Sequence, residues 1–134
     1  MPDPIDLAGT FVVLTPQQGA EPVAFSPETY AELDRRYDGF RGHSLVACHA
    51  FEGDWPSWEI HPAGDELVIH QAGSIDMVLW TRAGEETARL DTPGQCLVVP
   101  RGTWHTGRAA VGATLLFVTP GEGTVNAESP HELD

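Results

Sequence analysis

A chain of 134 residues fits one domain, large enough to bury its own core without staples. Its hydrophobic fraction of 41% is that of globular proteins, which argues against disorder away from the ends. Twenty acids against seven arginines, with no lysine, give a formal charge of -13; that charge repels phosphate backbones and anionic lipid, so neither nucleic acid nor membrane is expected as a partner.

The first residues have neither a basic start nor an apolar run, so no signal peptide is expected. Apolar segments such as 115–118 are too short to span a bilayer. Two cysteines, Cys48 and Cys96, are too few for a disulfide framework; each lies in a strand-like run and reads as a buried free thiol. A soluble, cytoplasmic protein is the expectation.

In chain order, 9–15 reads as a short strand ending at Pro16. A helix follows, with Ser26 as N-cap, Pro27 at its first position, Glu28 near the start, Arg35 and Arg36 near the end, and Gly39 as the stop. Tyr30, Leu33 and Tyr37 fall on one face, which is expected to pack as a lid on a sheet. From about 44 to 118 the chain is a series of short runs rich in Val, Leu, Ile, Trp and Thr, broken by Gly, Pro and Asp turns. There is no room for crossover helices, so the sheet is expected to be antiparallel, in a sandwich or barrel. The expected organisation is a single domain over 1–134: an N-terminal strand and helix at 9–39, a barrel core at about 44–118, and an extended or frayed C-terminal arm at 120–134.

Two spaced motifs stand out in the β region. One is Glu59-x-His61-x4-Glu66-x6-Gly73, the other Gly94-x5-Pro100-x-Gly102-x2-His105. Residues two apart on a strand share a face, so Glu59 and His61 project together, away from Trp58 and Ile60. The turn at 62–65 can bring Glu66 back to meet them, and His105 arrives from a later strand. Two imidazoles with one or two carboxylates form the donor set of mononuclear iron, manganese or zinc sites with open positions. At this chain's composition the second motif arises by accident at about 0.4%, so it discriminates better than the first.

The pair resembles the two signature motifs of the cupin superfamily, usually Gly-x5-His-x-His-x3–4-Glu-x6-Gly and Gly-x5-Pro-x-Gly-x2-His-x3-Asn. The resemblance covers about 44–118. It implies an all-β, double-stranded β-helix (a jelly-roll barrel), here with one short N-terminal helix. It also implies a single divalent metal near the centre, manganese, iron, zinc or nickel, and a homodimer often formed through an N-terminal strand. His61, Glu66 and His105 match the family's metal-ligand positions. Three positions depart from the pattern: Glu59 replaces the first histidine, Gly53 or Asp54 stands at the opening glycine, and Ala109 replaces the closing asparagine.

Only the Glu59 change bears directly on the metal; besides a polar residue paired to an arginine at the barrel mouth, two roles stay open for it. As a fourth ligand it would bring a divalent site from net +1 to zero, harder in character and a weaker holder of anions. Off the metal, beside an open position, it could act as a general base. His70 shares parity with Glu66, either as an outer donor to the pocket or as a structural histidine; His43 and His49 read as structural or exposed. Trp104 is the tryptophan expected to touch a ligand or a dimer partner, with Trp55, Trp58 and Trp80 in core or rim packing. Arg101 is a turn residue within reach of a carboxylate substrate. The leading expectation is a mononuclear-metal enzyme of dioxygenase, decarboxylase or isomerase type acting on a small polar molecule. The alternatives are a small-ligand-binding or sensing module, and a metal that serves only as a structural staple.

Overall fold

Two antiparallel sheets carry the fold in the computed structural model, which describes residues 2–130. The strands are β1 (Thr10–Leu14), β2 (Ala20–Ala24), β3 (Ser44–Phe51), β4 (Trp58–Ile60), β5 (Glu66–Gly73), β6 (Ile75–Thr81), β7 (Gly84–Leu90), β8 (Cys96–Val99), β9 (His105–Arg108), β10 (Ala113–Thr119) and β11 (Val125–Ala127). Between β2 and β3 lie helix α1 (Thr29–Arg36) and a 3-10 turn (Asp38–Phe40). One sheet has the order β2-β1-β3-β10-β5-β8, the other β11-β4-β9-β6-β7.

Period-2 alternation sets the two faces. On β5, Glu66, Val68 and His70 are buried while Leu67 is exposed. On β10, Ala113, Leu115 and Phe117 alternate inward in the same way. Val68, Ala113, Leu115 and Phe117 meet Ile75 and Met77 of β6 in the main core between the sheets. A second cluster joins Phe11, Val13 and Val23 to Leu33, Tyr37 and Phe40, which fixes α1 and the 3-10 turn against the barrel. The aromatic face expected of the helix is split: Leu33 and Tyr37 are buried, but Tyr30 is 56% exposed.

Three elements differ from the sequence expectations. α1 begins at Thr29, two residues beyond the expected start, because Ser26 and Thr29 bond each other across a preceding turn (Thr29 N–H to the Ser26 carbonyl, 3.0 Å). Residues 20–24 form a strand despite Pro22, which is tolerated because β2 lies at the sheet edge. The C-terminal arm is ordered at 125–127, where β11 pairs with β4. Cys96 is exposed and Cys48 half-buried, so neither thiol is the fully buried one expected.

Gly73 ends β5 at φ +73°, where a Cβ would collide with the Gly112 carbonyl oxygen and lie 2.9 Å from the Ala113 Cα. A left-handed residue other than glycine costs about 1–2 kcal/mol before any collision. Gly73→Ala is therefore expected to lose more than about 2 kcal/mol in urea unfolding. Gly53→Ala, with nothing within 4 Å of the added carbon, should shift stability by less than about 0.5 kcal/mol. Equal stabilities for the two variants would contradict this account of the turn.

Candidate functional site

Glu59 stands at the middle of β4, opposite His105, the first residue of β9. His61 follows β4 directly, and Glu66 opens β5. Parity turns all four inward, while Trp58 and Ile60 pack outward with Val78 and Trp104. One donor atom of each of the four lies within 4.8 Å of the other three. His61 Nε2 is 3.4 Å from Glu59 and 3.2 Å from Glu66; His105 Nε2 is 3.5 Å from Glu59 and 3.1 Å from Glu66. Glu66, His61 and His105 are buried, and Glu59 is the most accessible of the group.

Neighbouring residues fix how the rings present themselves. The Thr124 hydroxyl donates to the Gly121 carbonyl at 3.0 Å, so across its 2.8 Å contact with His61 Nδ1 it accepts. His105 Nδ1 donates to the Thr103 carbonyl at 3.0 Å. With both Nδ1 atoms carrying hydrogen, each neutral ring aims the lone pair of Nε2 at the cluster. The Thr119 hydroxyl donates to Glu66 Oε2 at 2.6 Å and holds that carboxylate in place. The two motif turns are joined as well: Gly102 N–H donates to the His61 carbonyl (3.0 Å) and Arg101 N–H to Asp65 (2.7 Å).

The donor set fits a divalent metal. Both Nε2 atoms and Glu66 Oε1 are buried without a hydrogen-bond partner, although carboxylate oxygens lie 3.1–3.5 Å from each nitrogen. Those oxygens therefore sit off the ring axes. Donors about 2.0–2.2 Å from a common ion lie about 2.9–3.5 Å from their nearest neighbours. The observed separations fall in that range, so the group can hold a metal ion.

Without an ion, the four groups compensate one another. Burial would lower His61 and His105, but the Glu59 and Glu66 carboxylates outweigh it and raise them to about 9 and about 10. Burial would raise Glu59, but the two imidazoles bring it down to about 2, and Glu66 is lowered for the same reason. Among the described residues, the ion-pair partners of Glu59 are imidazoles and no arginine reaches it.

A cavity of about 640 Å³ opens onto the cluster. Leu45, Ala47, His49 and Phe51 of β3 form one wall, Phe117 and Thr119 of β10 continue it, and Tyr30, Leu33, Asp34 and Phe40 cover it from above. Trp55 is also in the wall, edge-on to His105 with ring centroids 6.2 Å apart. It fits there because β9 has Gly107, where a Cβ would lie 2.7 Å from the Trp55 indole.

Several residues marked in the sequence lie elsewhere. Trp104 is 5% exposed in the outer cluster and does not line the cavity, so Trp55, not Trp104, is the tryptophan beside the site. His70 points inward but is bonded to the Gly73 carbonyl (2.6 Å), away from the cavity. Arg101 is exposed outside it, and His43 packs tilted against Tyr37 and Phe40. The Asp54 carboxylate accepts the Ala109 N–H at 3.0 Å, which ties together two of the positions that depart from the motifs. Thr119 and Thr124 were not anticipated; threonine in a strand or loop carries no motif, and only their contacts mark them.

No family model matches the sequence. Over 48 residues, 36% of this chain, it is 35% identical to the uncharacterized protein L612 of Acanthamoeba polyphaga mimivirus, and the alignment spans 29% of that protein. Among solved structures, an uncharacterized protein with a double-stranded β-helix domain from Klebsiella pneumoniae superposes with a TM-score of 0.53 at 18% identity, covering 64% of this chain and 76% of that one. A cupin-2 domain protein from Shewanella frigidimarina gives 0.49 at 22% identity, covering 57% and 70%. The likeness fixes the fold and leaves the chemistry to the residues.

The pH dependence follows from the charges. The raised imidazoles stabilise the metal-free fold fully below their unfolded value of 6.5, and lose that contribution as pH rises through about 9 and 10. The lowered Glu59 contributes above its unfolded value of 4.5 and loses its contribution as pH falls through about 2. Chelator-treated protein should therefore gain most from the cluster between pH 4.5 and 6.5. A divalent ion must displace the imidazole protons, so its stabilising effect should grow from pH 6 to pH 9. Melting curves with and without zinc across that range test this, and a zinc effect independent of pH would contradict it.

Proposed function

We propose that this chain, folded as a double-stranded β-helix, is a cupin and a mononuclear-metal protein, an enzyme acting on a small molecule bound in the cavity. The observation that carries the proposal is the convergence of Glu59, His61, Glu66 and His105, with donor atoms within 4.8 Å of one another, the first three lining that cavity. Among the described residues no helix is long and apolar enough to cross a membrane. We extend the proposal to a homodimer in the cytoplasm, with β2 as the N-terminal edge available for pairing; the mass in solution checks the dimer.

We assign His61, Glu66 and His105 to the metal. The nitrogen and oxygen donors suit manganese, iron, zinc or nickel. When bound, the ion would supply Lewis-acid polarisation of a substrate oxygen or a centre for dioxygen chemistry, the basis of the dioxygenase, decarboxylase and isomerase options. Thr119, Thr124 and the Thr103 carbonyl hold the donors in register. Glu59 is the most accessible of the four and lines the cavity, so it either completes the ligand set or takes a proton from the bound molecule.

Elemental analysis of protein purified without chelator should find about one equivalent of metal. His61→Ala and His105→Ala are each expected to lose most of it, whereas His43→Ala, outside the cluster, should keep it. Full occupancy in His105→Ala would sink the assignment. Glu59→Gln separates the two roles: a loss of tenfold or more in metal affinity makes it a ligand, and unchanged affinity with lost turnover makes it the base. Ligand-induced stabilisation without any product would identify a binding module instead.

A further inference from the structure

The electrostatics of the cavity restrict what it accepts. None of the seven arginines lines it, and the chain has no lysine. Arg35, Arg89 and Arg108 are held by Glu32, Asp76 with Asp91, and Glu85 on the outside, and Arg36 lies over the Tyr37 ring. His49, in the wall, is pushed down by burial against a smaller opposing effect of Glu59, which disfavours its charged form. The acids that face the space are Asp34 on α1 together with Glu59 and Glu66. Two carboxylates cancel a divalent ion, which leaves Asp34 as the uncompensated charge. With the ion in place of the imidazole protons, an anion drawn in would give up its hydration and find no cationic side chain in return.

The rest of the wall is aromatic. Phe51, Trp55 and Phe117 pack against one another with ring centroids 5.1–6.0 Å apart, and Tyr30 and Phe40 face them across the space. Such a surface takes up a ring-sized apolar body and the face-on approach of a cation.

Resting on the metal reading above, we propose that the cavity binds a small molecule with no negative charge, neutral or cationic, built on a ring-sized apolar body, and that it discriminates against carboxylates and phosphonates. Asp34 acts as a specificity-determining residue at the rim, and the aromatic wall supplies the affinity.

Three probes of similar size test this: 2-phenylethanol, 2-phenylethylamine and phenylacetate, titrated by calorimetry into zinc-loaded protein at pH 7. The first two are expected to bind at least tenfold more tightly than phenylacetate. Phenylacetate binding as tightly as either, or no binding by any of the three, overturns the proposal. Asp34 is exposed on α1, so Asp34→Arg should fold normally; it is expected to raise phenylacetate affinity at least fivefold and weaken the amine. An unchanged ranking in that variant overturns the role given to Asp34. The metal content of the same sample is measured separately. A protein that takes up no zinc sinks the metal reading, while the probe ranking still decides the ligand class, because the aromatic wall and Asp34 lie outside the cluster.

Discussion

Two carboxylates and two imidazoles share one buried space at the end of the barrel, and none could remain there alone. An isolated charge at the position of Glu66 or His105 would be costly enough to shift its protonation or open the fold. Each group is tolerable because the others surround it at 3.1–3.5 Å. With protons on the imidazoles the cluster is balanced as ion pairs; with a divalent ion it is balanced as a coordination sphere. The same separations serve both states, so exchanging protons for a metal requires little movement of the strands.

The scaffold around this cluster is built to limit that movement. Glu59 and His105 are register partners across β4 and β9, and the turn at 100–102 is tied by its backbone to His61 and Asp65. Outer contacts come from Thr103, Thr119 and Thr124, three residues in three different segments. The site is thus set by backbone pairing and short polar contacts more than by apolar packing. The main hydrophobic core lies deeper between the sheets. The cavity occupies the space between that core and α1, where aromatic residues face the opening instead of filling it.

Much of this is written in the sequence, and the reason is parity. Glu59 and His61, two apart, must share a face of a strand, and glycines at turn positions mark where the chain reverses. The antiparallel β architecture, the short helix and the four-residue cluster all follow from such local rules. What could not be read depended on contacts between distant segments. Thr124 reaches His61 across 63 positions, and Thr119 reaches Glu66 across 53. Trp104 adjoins His105 in sequence, and that adjacency in a strand sends it to the opposite face. Trp55 has no such neighbour to mark it, and its place depends on the absent side chain of Gly107. The strand at 20–24 was hidden by Pro22, which a central strand would have excluded and an edge strand accepts.

The position of β10 bears on how the chain is made. It lies between β3 and β5, so the strands at 44–51 and 66–73 have no central partner until 113–119 has been synthesised. Such non-local pairing delays closure of the sheet, and a growing chain passes through a stage in which both apolar strands have open edges. All four donors and Thr103 have emerged by then, but Thr119 and Thr124, which hold Glu66 and His61, have not. A nascent chain at that stage has the four donors without two of the hydroxyls that hold them in register. Assembly of the cluster's full support becomes an event of the finished barrel, timed by the arrival of a single late strand.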